Sequence, residues 1–271
     1  EAQELIGSAQ FQPELRTLRE GRLVDYAAAM RLKRSALQVL ARHVKESRGG
    51  RYDAVRAYVE SAHDLSEYAQ FRAATTTRQA VWTEWQSPLD DSEIDCDEEF
   101  YHLYCQFVAN EQVEGLTKRC KLEQTALYLD YPLGVHPQGF DTWRYPQLFA
   151  HSAAVGAPPD PVFTTGQDWG FHPILPEAQR RNGYQYFRAS LRHQMRHAGM
   201  LRIDHVMGLH RLYWIPKGFR KSDGVYVHYP NDEIYAVLAL ESQRNKTVLV
   251  GENLGIVPGY VEERMRRHGL A

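Results

Sequence analysis

Two short apolar segments decide the fold, Leu201-Arg202-Ile203-Asp204-His205 and Val248-Leu249-Val250-Gly251-Glu252, and a carboxylate stands at or near the end of each. Strand-like and helical spacings alternate around them: a strand over 126–135, a helix over 182–200, a strand over 200–204, a helix over 231–244, a strand over 247–252 and a helix from Pro258 to Gly269. This β, α, β, α, β, α order is typical of an α/β fold with a parallel sheet or a barrel.

The two acids are expected to face the same way from neighbouring strands. Side chains alternate along a strand, so Arg202 shares a face with Asp204, and Val250 shares one with Glu252. Each acid should therefore end an inward-facing row at the carboxyl end of its strand, where β/α barrels carry their active sites. The separation between positions 204 and 252 is about one strand-loop-helix unit plus an insertion, which predicts neighbouring strands across one cleft.

Two carboxylates in this arrangement suit a retaining glycosidase, in which they lie roughly 5 to 5.5 Å apart. One attacks the anomeric carbon and the other protonates the leaving oxygen. Arg202 is expected to keep Asp204 ionised, as a nucleophile requires, whereas Glu252 has no evident cation beside it. A strand-end acid is more often a solvated loop residue or a helix cap, so spacing alone leaves both interpretations open.

Composition excludes several classes of function. The 271 residues are 43% hydrophobic with a formal net charge of −2, which favours a globular chain with a neutral substrate over one that binds nucleic acid or a membrane. The sequence has neither a long apolar run nor a signal-like start, so we expect a cytoplasmic protein. Cys96, Cys105 and Cys120 lack Cys-x-x-Cys spacing, so neither a disulfide framework nor a zinc site is expected.

The periodicity changes near residue 125, which predicts a mostly helical subdomain over 1–125 and the alternating unit over 126–271. A helix should begin after Asp25, with Tyr26, Met30, Leu37, Leu40 and Val44 on its inner face. Further helices are expected over 52–74 and 95–124. A long irregular excursion over 136–176 is of a length that usually carries function.

Several motifs, in order, resemble one family, the 4-α-glucanotransferases of glycoside hydrolase family 77. Its central motifs resemble Arg202-Ile203-Asp204-His205-Val206-Met207-Gly208, Leu212-Tyr213-Trp214-Ile215-Pro216 and Gly251-Glu252-Asn253-Leu254-Gly255. Its substrate-binding loop resembles Val155-Gly156-Ala157-Pro158-Pro159-Asp160 followed by Thr165-Gly166-Gln167-Asp168-Trp169-Gly170, and one of its strands resembles Leu129-Asp130-Tyr131-Pro132-Leu133 with Leu129 in place of a glycine.

The resemblance implies a role for each matching position. Asp204 would be the nucleophile that forms a covalent glycosyl-enzyme intermediate, and Glu252 the general acid and then the base. The positions implied to contact substrate, an α-1,4-glucan such as a maltodextrin, are Asp130, Asp160, Gln167, Trp169, Arg202 and His205. Trp169 as a plain rim aromatic and His205 as a core histidine are the alternatives. No metal or organic cofactor is implied.

The resemblance also implies a partial (β/α)8 TIM-type barrel preceded by the helical subdomain. The family has a third catalytic carboxylate in a His-Asp motif, which we expect beyond Ala271, so the chain is expected to be an internal piece that is inactive alone. An α-glucan hydrolase with the same acids and a non-catalytic glucan-binding module remain alternatives to the transferase.

Overall fold

The computed structural model describes residues 1–62, 64–254 and 257–271, and these form eleven α-helices and seven β-strands. They divide into two compact units, Glu1–Gln112 and Val113–Ala271. The division falls within one long helix, Cys96–Leu122, whereas the change of periodicity near residue 125 coincides with the end of that helix and the start of the first strand.

The first unit is helical. Its helices are α1 (Ala2–Ile6), α2 (Phe11–Glu20), α3 (Tyr26–Ser47), α4 (Gly50–Ser61), α5 (Leu65–Arg78) and the first part of α6 (Cys96–Leu122). Asp25 is the N-cap of α3, as predicted, because its Oδ1 accepts a hydrogen bond of 2.9 Å from the Ala28 N–H. The core joins Ala41, Val44, Val55, Phe100 and Phe107 of three helices.

One prediction about this unit was wrong in part and another was wrong. Val44 is buried and Leu37 packs against the core, as predicted, and Ala28, Leu32 and Ala41 are buried too, whereas Tyr26, Met30 and Leu40 are exposed. The buried face thus includes alanines, which a search for large apolar side chains does not detect. The single helix expected over 52–74 is two helices, α4 and α5, since the backbone becomes extended at Ala62.

The second unit contains all seven strands. They are β1 (Leu127–Tyr131), β2 (Ala153–Ala157), β3 (Gln167–Asp168), β4 (Ala198–Ile203), β5 (Arg211–Pro216), β6 (Val225–His228) and β7 (Val248–Gly251). The helices are the end of α6, α7 (Phe140–Arg144), α8 (Pro176–Arg181), α9 (Gln185–Met195), α10 (Asn231–Asn245) and α11 (Gly259–Arg267). Helices separate β1 from β4 and β4 from β7, as the α/β prediction requires.

The strands form two sheets. One is parallel with the order β1-β4-β7, and the other is antiparallel with the order β3-β2-β5-β6. The adjacency of β4 and β7 confirms that the two acid-bearing segments are neighbours. The antiparallel sheet was not predicted; its β5–β6 hairpin lies between β4 and β7 in the chain and is the insertion that lengthens their separation.

The parallel sheet has one buried face and one open face. Leu201, Ile203 and Leu249 are buried in a core with Leu191 of α9 and Leu238 of α10. Their neighbours in sequence point the other way, so Asp130, Arg202 and Val250 lie side by side in register on the open face. The strands therefore carry their polar residues toward one side and hold the helices on the other.

An unpredicted buried charge joins α9 to α10. The Glu241 side chain is 0% exposed, and its oxygens accept two hydrogen bonds of 2.7 Å from Arg192 Nε and Nη2. Arg244 Nη1 lies 3.3 Å from the same carboxylate. Chiefly through the Arg192 hydrogen bonds, these contacts hold the pKa of the Glu241 carboxyl below its usual value.

The helix expected over 182–200 is shorter than predicted: it is α9, Gln185–Met195, and β4 already begins at Ala198. Gly183 and Tyr184 both have positive φ angles, of 62° and 60°, and separate α8 from α9. Within 1–62, 64–254 and 257–271, no helix has the length and apolar character needed to cross a membrane.

Candidate active site

One guanidinium joins three carboxylates at the carboxyl ends of the parallel strands. Arg202 Nη1 donates to Asp130 Oδ1 at 2.6 Å and lies 3.1 Å from Asp204 Oδ1. Arg202 Nη2 lies 3.2 Å from Glu252 Oε1. The hydrogen bond to Asp130 is the main reason that the pKa of the Arg202 guanidinium is raised, so this group stays cationic.

The prediction that Glu252 has no cation beside it was therefore wrong. The register pairs Arg202 of β4 with Asp130 on one side and with Val250 on the other, two residues before Glu252. A long guanidinium on the middle strand can consequently reach acids on all three strands. Sequence distance hides this proximity, because only the sheet order reveals it.

The turn after β4 holds Glu252 through the main chain. The Glu252 N–H donates to the Ile203 carbonyl at 2.9 Å, and the Val206 N–H donates to the Glu252 carbonyl at 3.0 Å. The His205 N–H donates to Glu252 Oε2 at 2.8 Å. His205 itself is left-handed, with φ 47° and ψ 65°.

Asp204 and Glu252 line a cavity of about 380 Å³. It is lined by Pro132, Leu133, Gly134, Trp169, Phe171, Asp204, His205 and Glu252. The cavity combines apolar walls with two carboxylates, which is the usual character of a small-molecule site.

Aromatic rings form one wall of the cavity. The Trp169 ring lies edge-on to His205 with centroids 5.1 Å apart, and it is nearly parallel to Phe171 with centroids 6.3 Å apart. The Phe171 ring packs directly against Gly134, where an added Cβ would lie 2.2 Å from the ring. This close approach favours glycine at position 134. Both rings belong to the excursion over 136–176, which therefore contributes to the cavity wall.

His205 is the titratable ring in this wall. Burial lowers the pKa of His205, although the nearby Glu252 and Asp204 charges act in the opposite direction. The imidazole is therefore neutral at neutral pH. A neutral ring presents one donor and one acceptor nitrogen, which suits pairing with a hydroxyl group.

The other predicted positions lie outside the cavity lining. Gln167, on β3, accepts a hydrogen bond of 3.3 Å from the Trp169 indole N–H and so orients that ring. Asp160 Oδ1 accepts hydrogen bonds from the Val162 and Phe163 N–H groups, at 2.7 and 2.5 Å, and shapes the loop before β3. In the described part of the chain, no cluster of three or more His, Cys, Asp or Glu side chains could hold a metal ion.

Comparison with known proteins identifies the family. The profile of glycoside hydrolase family 77, described as 4-alpha-glucanotransferase, matches residues 2–271. The chain belongs to glycoside hydrolase family 77. The family resemblance drawn from the sequence motifs is thereby confirmed.

Curated family 77 relatives match most of this chain. A 4-alpha-glucanotransferase of Haemophilus influenzae is 34% identical over 282 residues, covering 94% of this chain and 40% of the relative. One of Mycobacterium tuberculosis is 32% identical over 259 residues, covering 91% of this chain and 36% of the relative. The chain thus spans about two fifths of the length of these relatives.

Two solved amylomaltase structures share the fold. The amylomaltase of Corynebacterium glutamicum matches with a TM-score of 0.73 at 28% identity, over 90% of this chain and 34% of that one. The amylomaltase of Streptococcus agalactiae, solved in complex with acarbose, matches with a TM-score of 0.82 at 17% identity, over 99% of this chain and 58% of that one. Both matches agree with the α/β architecture described above.

Four lining residues, Pro132, Leu133, Gly134 and Phe171, were not singled out from the sequence. Pro132 and Leu133 directly follow the Asp130 strand, and Phe171 lies two residues after Trp169. Their signal was position: each lies within or directly beside a motif that resembles the family.

Proposed function

We propose that this chain carries the nucleophile and the acid/base of a retaining 4-α-glucanotransferase. Asp204 attacks the anomeric carbon of an α-1,4-glucan, the glycosidic C–O bond breaks, and Glu252 gives its proton to the departing 4-oxygen. An acceptor glucan then gives its 4-hydroxyl proton to Glu252, and its oxygen displaces Asp204. The α-linkage is restored and both carboxyls return to their starting states.

The observation that carries this proposal is the joint contact of Arg202 with Asp204 and Glu252. The guanidinium holds one Asp204 oxygen and stabilises the negative charge that the nucleophile needs. Both Glu252 oxygens face donors, since Oε1 lies 3.2 Å from Arg202 Nη2 and Oε2 accepts a hydrogen bond from the His205 N–H. One of these contacts has to lengthen when Glu252 carries the proton that it gives to the leaving oxygen.

The cavity wall supports a sugar substrate. Pyranose rings offer C–H faces that pack on aromatic rings and hydroxyls that pair with polar groups, and the cavity combines Trp169 and Phe171 with a neutral His205. Asp130 and Arg202 add further hydroxyl partners at the strand ends. A maltodextrin fits this chemistry better than an anionic or strongly apolar ligand.

The open sheet face supports placing these strands in an eight-stranded barrel. Tyr128, Met200 and Val248 lie in one register row across β1, β4 and β7, and they are 55%, 36% and 52% exposed. Each outer strand pairs with one neighbour among the described strands. A closed barrel would cover this apolar row with a layer of interior side chains and would pair both edges.

Incubation of the full natural protein with maltotriose tests the function. Transfer yields a ladder of longer and shorter oligomers, whereas hydrolysis yields glucose and maltose alone and would replace the transferase by a hydrolase. Asp204→Asn and Glu252→Gln should each lower the rate by ~10³-fold or more. Glu263→Gln, on the exposed face of α11, is the matched control and should retain the wild-type rate.

A further inference from the structure

The left-handed backbone of His205 places two consecutive N–H groups on the same side of the chain. In an extended strand, consecutive N–H groups point to opposite neighbours. The Asp204 N–H follows this rule and donates to Tyr131 at the end of β1, at 3.0 Å. The His205 N–H then points to the other side, toward Glu252, as the rule also requires.

The next residue breaks the rule. An extended chain would return the Val206 N–H toward β1, but it donates to the Glu252 carbonyl at 3.0 Å. The positive φ of His205 is what turns it, and successive N–H groups around such a residue form a concave site for a negative group. Here the group inside the concavity is Glu252, whose side-chain oxygen and carbonyl oxygen are both held.

We propose that the left-handed conformation of His205 is a positioning device for the acid/base Glu252. The inference rests on the proposed function for the catalytic role of Glu252, but the contact itself does not. Its donor is the main-chain N–H, so the identity of the side chain at position 205 matters to Glu252 only through the backbone angles that it allows. The imidazole ring is left free to face Trp169 and the cavity.

Substitutions at position 205 separate the backbone from the ring. Glycine adopts positive φ without penalty, whereas a β-branched residue strongly disfavours it. His205→Gly and His205→Val both lack the imidazole, so their difference reports the backbone alone. We expect kcat/KM of the glycine variant to exceed that of the valine variant on the order of 10- to 100-fold, the usual effect of a displaced catalytic group.

Lys246 provides the matched control. It is exposed at the end of α10 with φ 53°, before the first residue of β7, whereas Glu252 follows the last residue of that strand. Lys246→Gly and Lys246→Val should differ in thermal stability but have equal kcat/KM well below their unfolding temperatures. Equal kcat/KM for the two His205 variants, with both folded, would overturn the proposal.

A spectroscopic measurement tests the contact without relying on activity. In protein labelled with 15N-histidine, the His205 amide should be protected from hydrogen exchange by its bond to the Glu252 side chain. Glu252→Ala should remove this protection, and Asp204→Asn, which alters the other acid beside Arg202, should preserve it. Unchanged protection in Glu252→Ala overturns the inference even if the valine variant fails to fold. Failure of wild-type protein to act on maltotriose would instead refute the proposed function.

Discussion

Replacing Glu241 with glutamine should destabilise the second unit by about 2 kcal/mol at pH 7. The carboxylate is 0% exposed and makes two hydrogen bonds of 2.7 Å with Arg192. Hydrogen bonds to charged groups contribute about 1.5–3 kcal/mol each. Arg192 is 46% exposed, so water screens its charge, and glutamine keeps one acceptor oxygen, which places the expected loss near the lower end of that range.

The loss of stability in Glu241→Gln should decrease as the pH falls. The contacts with Arg192 lower the pKa of Glu241 in the folded protein, so this carboxylate stabilises the fold above the usual carboxyl range near pH 4.5. That stabilisation is lost as the pH falls through the lower folded-state value. The difference in the free energy of unfolding between wild-type and Glu241→Gln should therefore have its full value at pH 7 and decrease below pH 4.5.

Urea denaturation at both pH values and a thermal scan measure this loss, which corresponds to a fall in Tm of about 4–8 °C. Glu123→Gln is the matched control, because Glu123 pairs with Arg119 at 58% and 76% exposure and should contribute less than about 0.5 kcal/mol. A Glu241→Gln variant as stable as the control, or a difference that does not narrow in acid, would refute the reasoning.

Three further predictions concern the fold. Asp25→Ala should cost about 1 kcal/mol by urea denaturation, since α3 loses its N-cap, whereas Asp25→Asn keeps an acceptor and should cost much less. Gly156→Ala should cost about 1–3 kcal/mol in thermal unfolding, because its Cβ would lie 2.0 Å from the Gln167 carbonyl oxygen. Burial lowers the pKa of His210 to about 4, so stability should fall as the pH drops from about 6.5 to 4, and His210→Gln should reduce that fall in pH-dependent denaturation.

Local signals in the sequence were the dependable ones. A cap needs only its own helix, so the start of α3 after Asp25 was predictable. Alternation within a strand needs only that strand, so the inward direction of Asp204 and Glu252 could be inferred before the sheet order was known. In the structure, Asp204 and Glu252 directly follow the last residues of the neighbouring parallel strands β4 and β7.

Features that depend on distant pairing were missed. The antiparallel sheet pairs β2 with β5 across more than fifty residues, and the sequence of neither strand predicts that register. The cation beside Glu252 comes from the neighbouring strand for the same reason. Glu241 had a usable signal, since it follows Ile234 by seven positions and so shares the inner face of α10 with Leu238. A buried carboxylate on such a face predicts a cationic partner, but the sequence does not show that this partner is Arg192.

The covalent intermediate on Asp204 is the most direct test of the central claim. A maltosyl fluoride needs no proton on its leaving group, so Glu252→Gln should still let Asp204 displace fluoride, yet the resulting ester should persist because no base activates the acceptor. Mass spectrometry of the full natural protein should show one added glycosyl group on the peptide that contains Asp204, and Asp204→Asn should abolish it. Fluoride release without an adduct, or an adduct on another residue, would contradict the account.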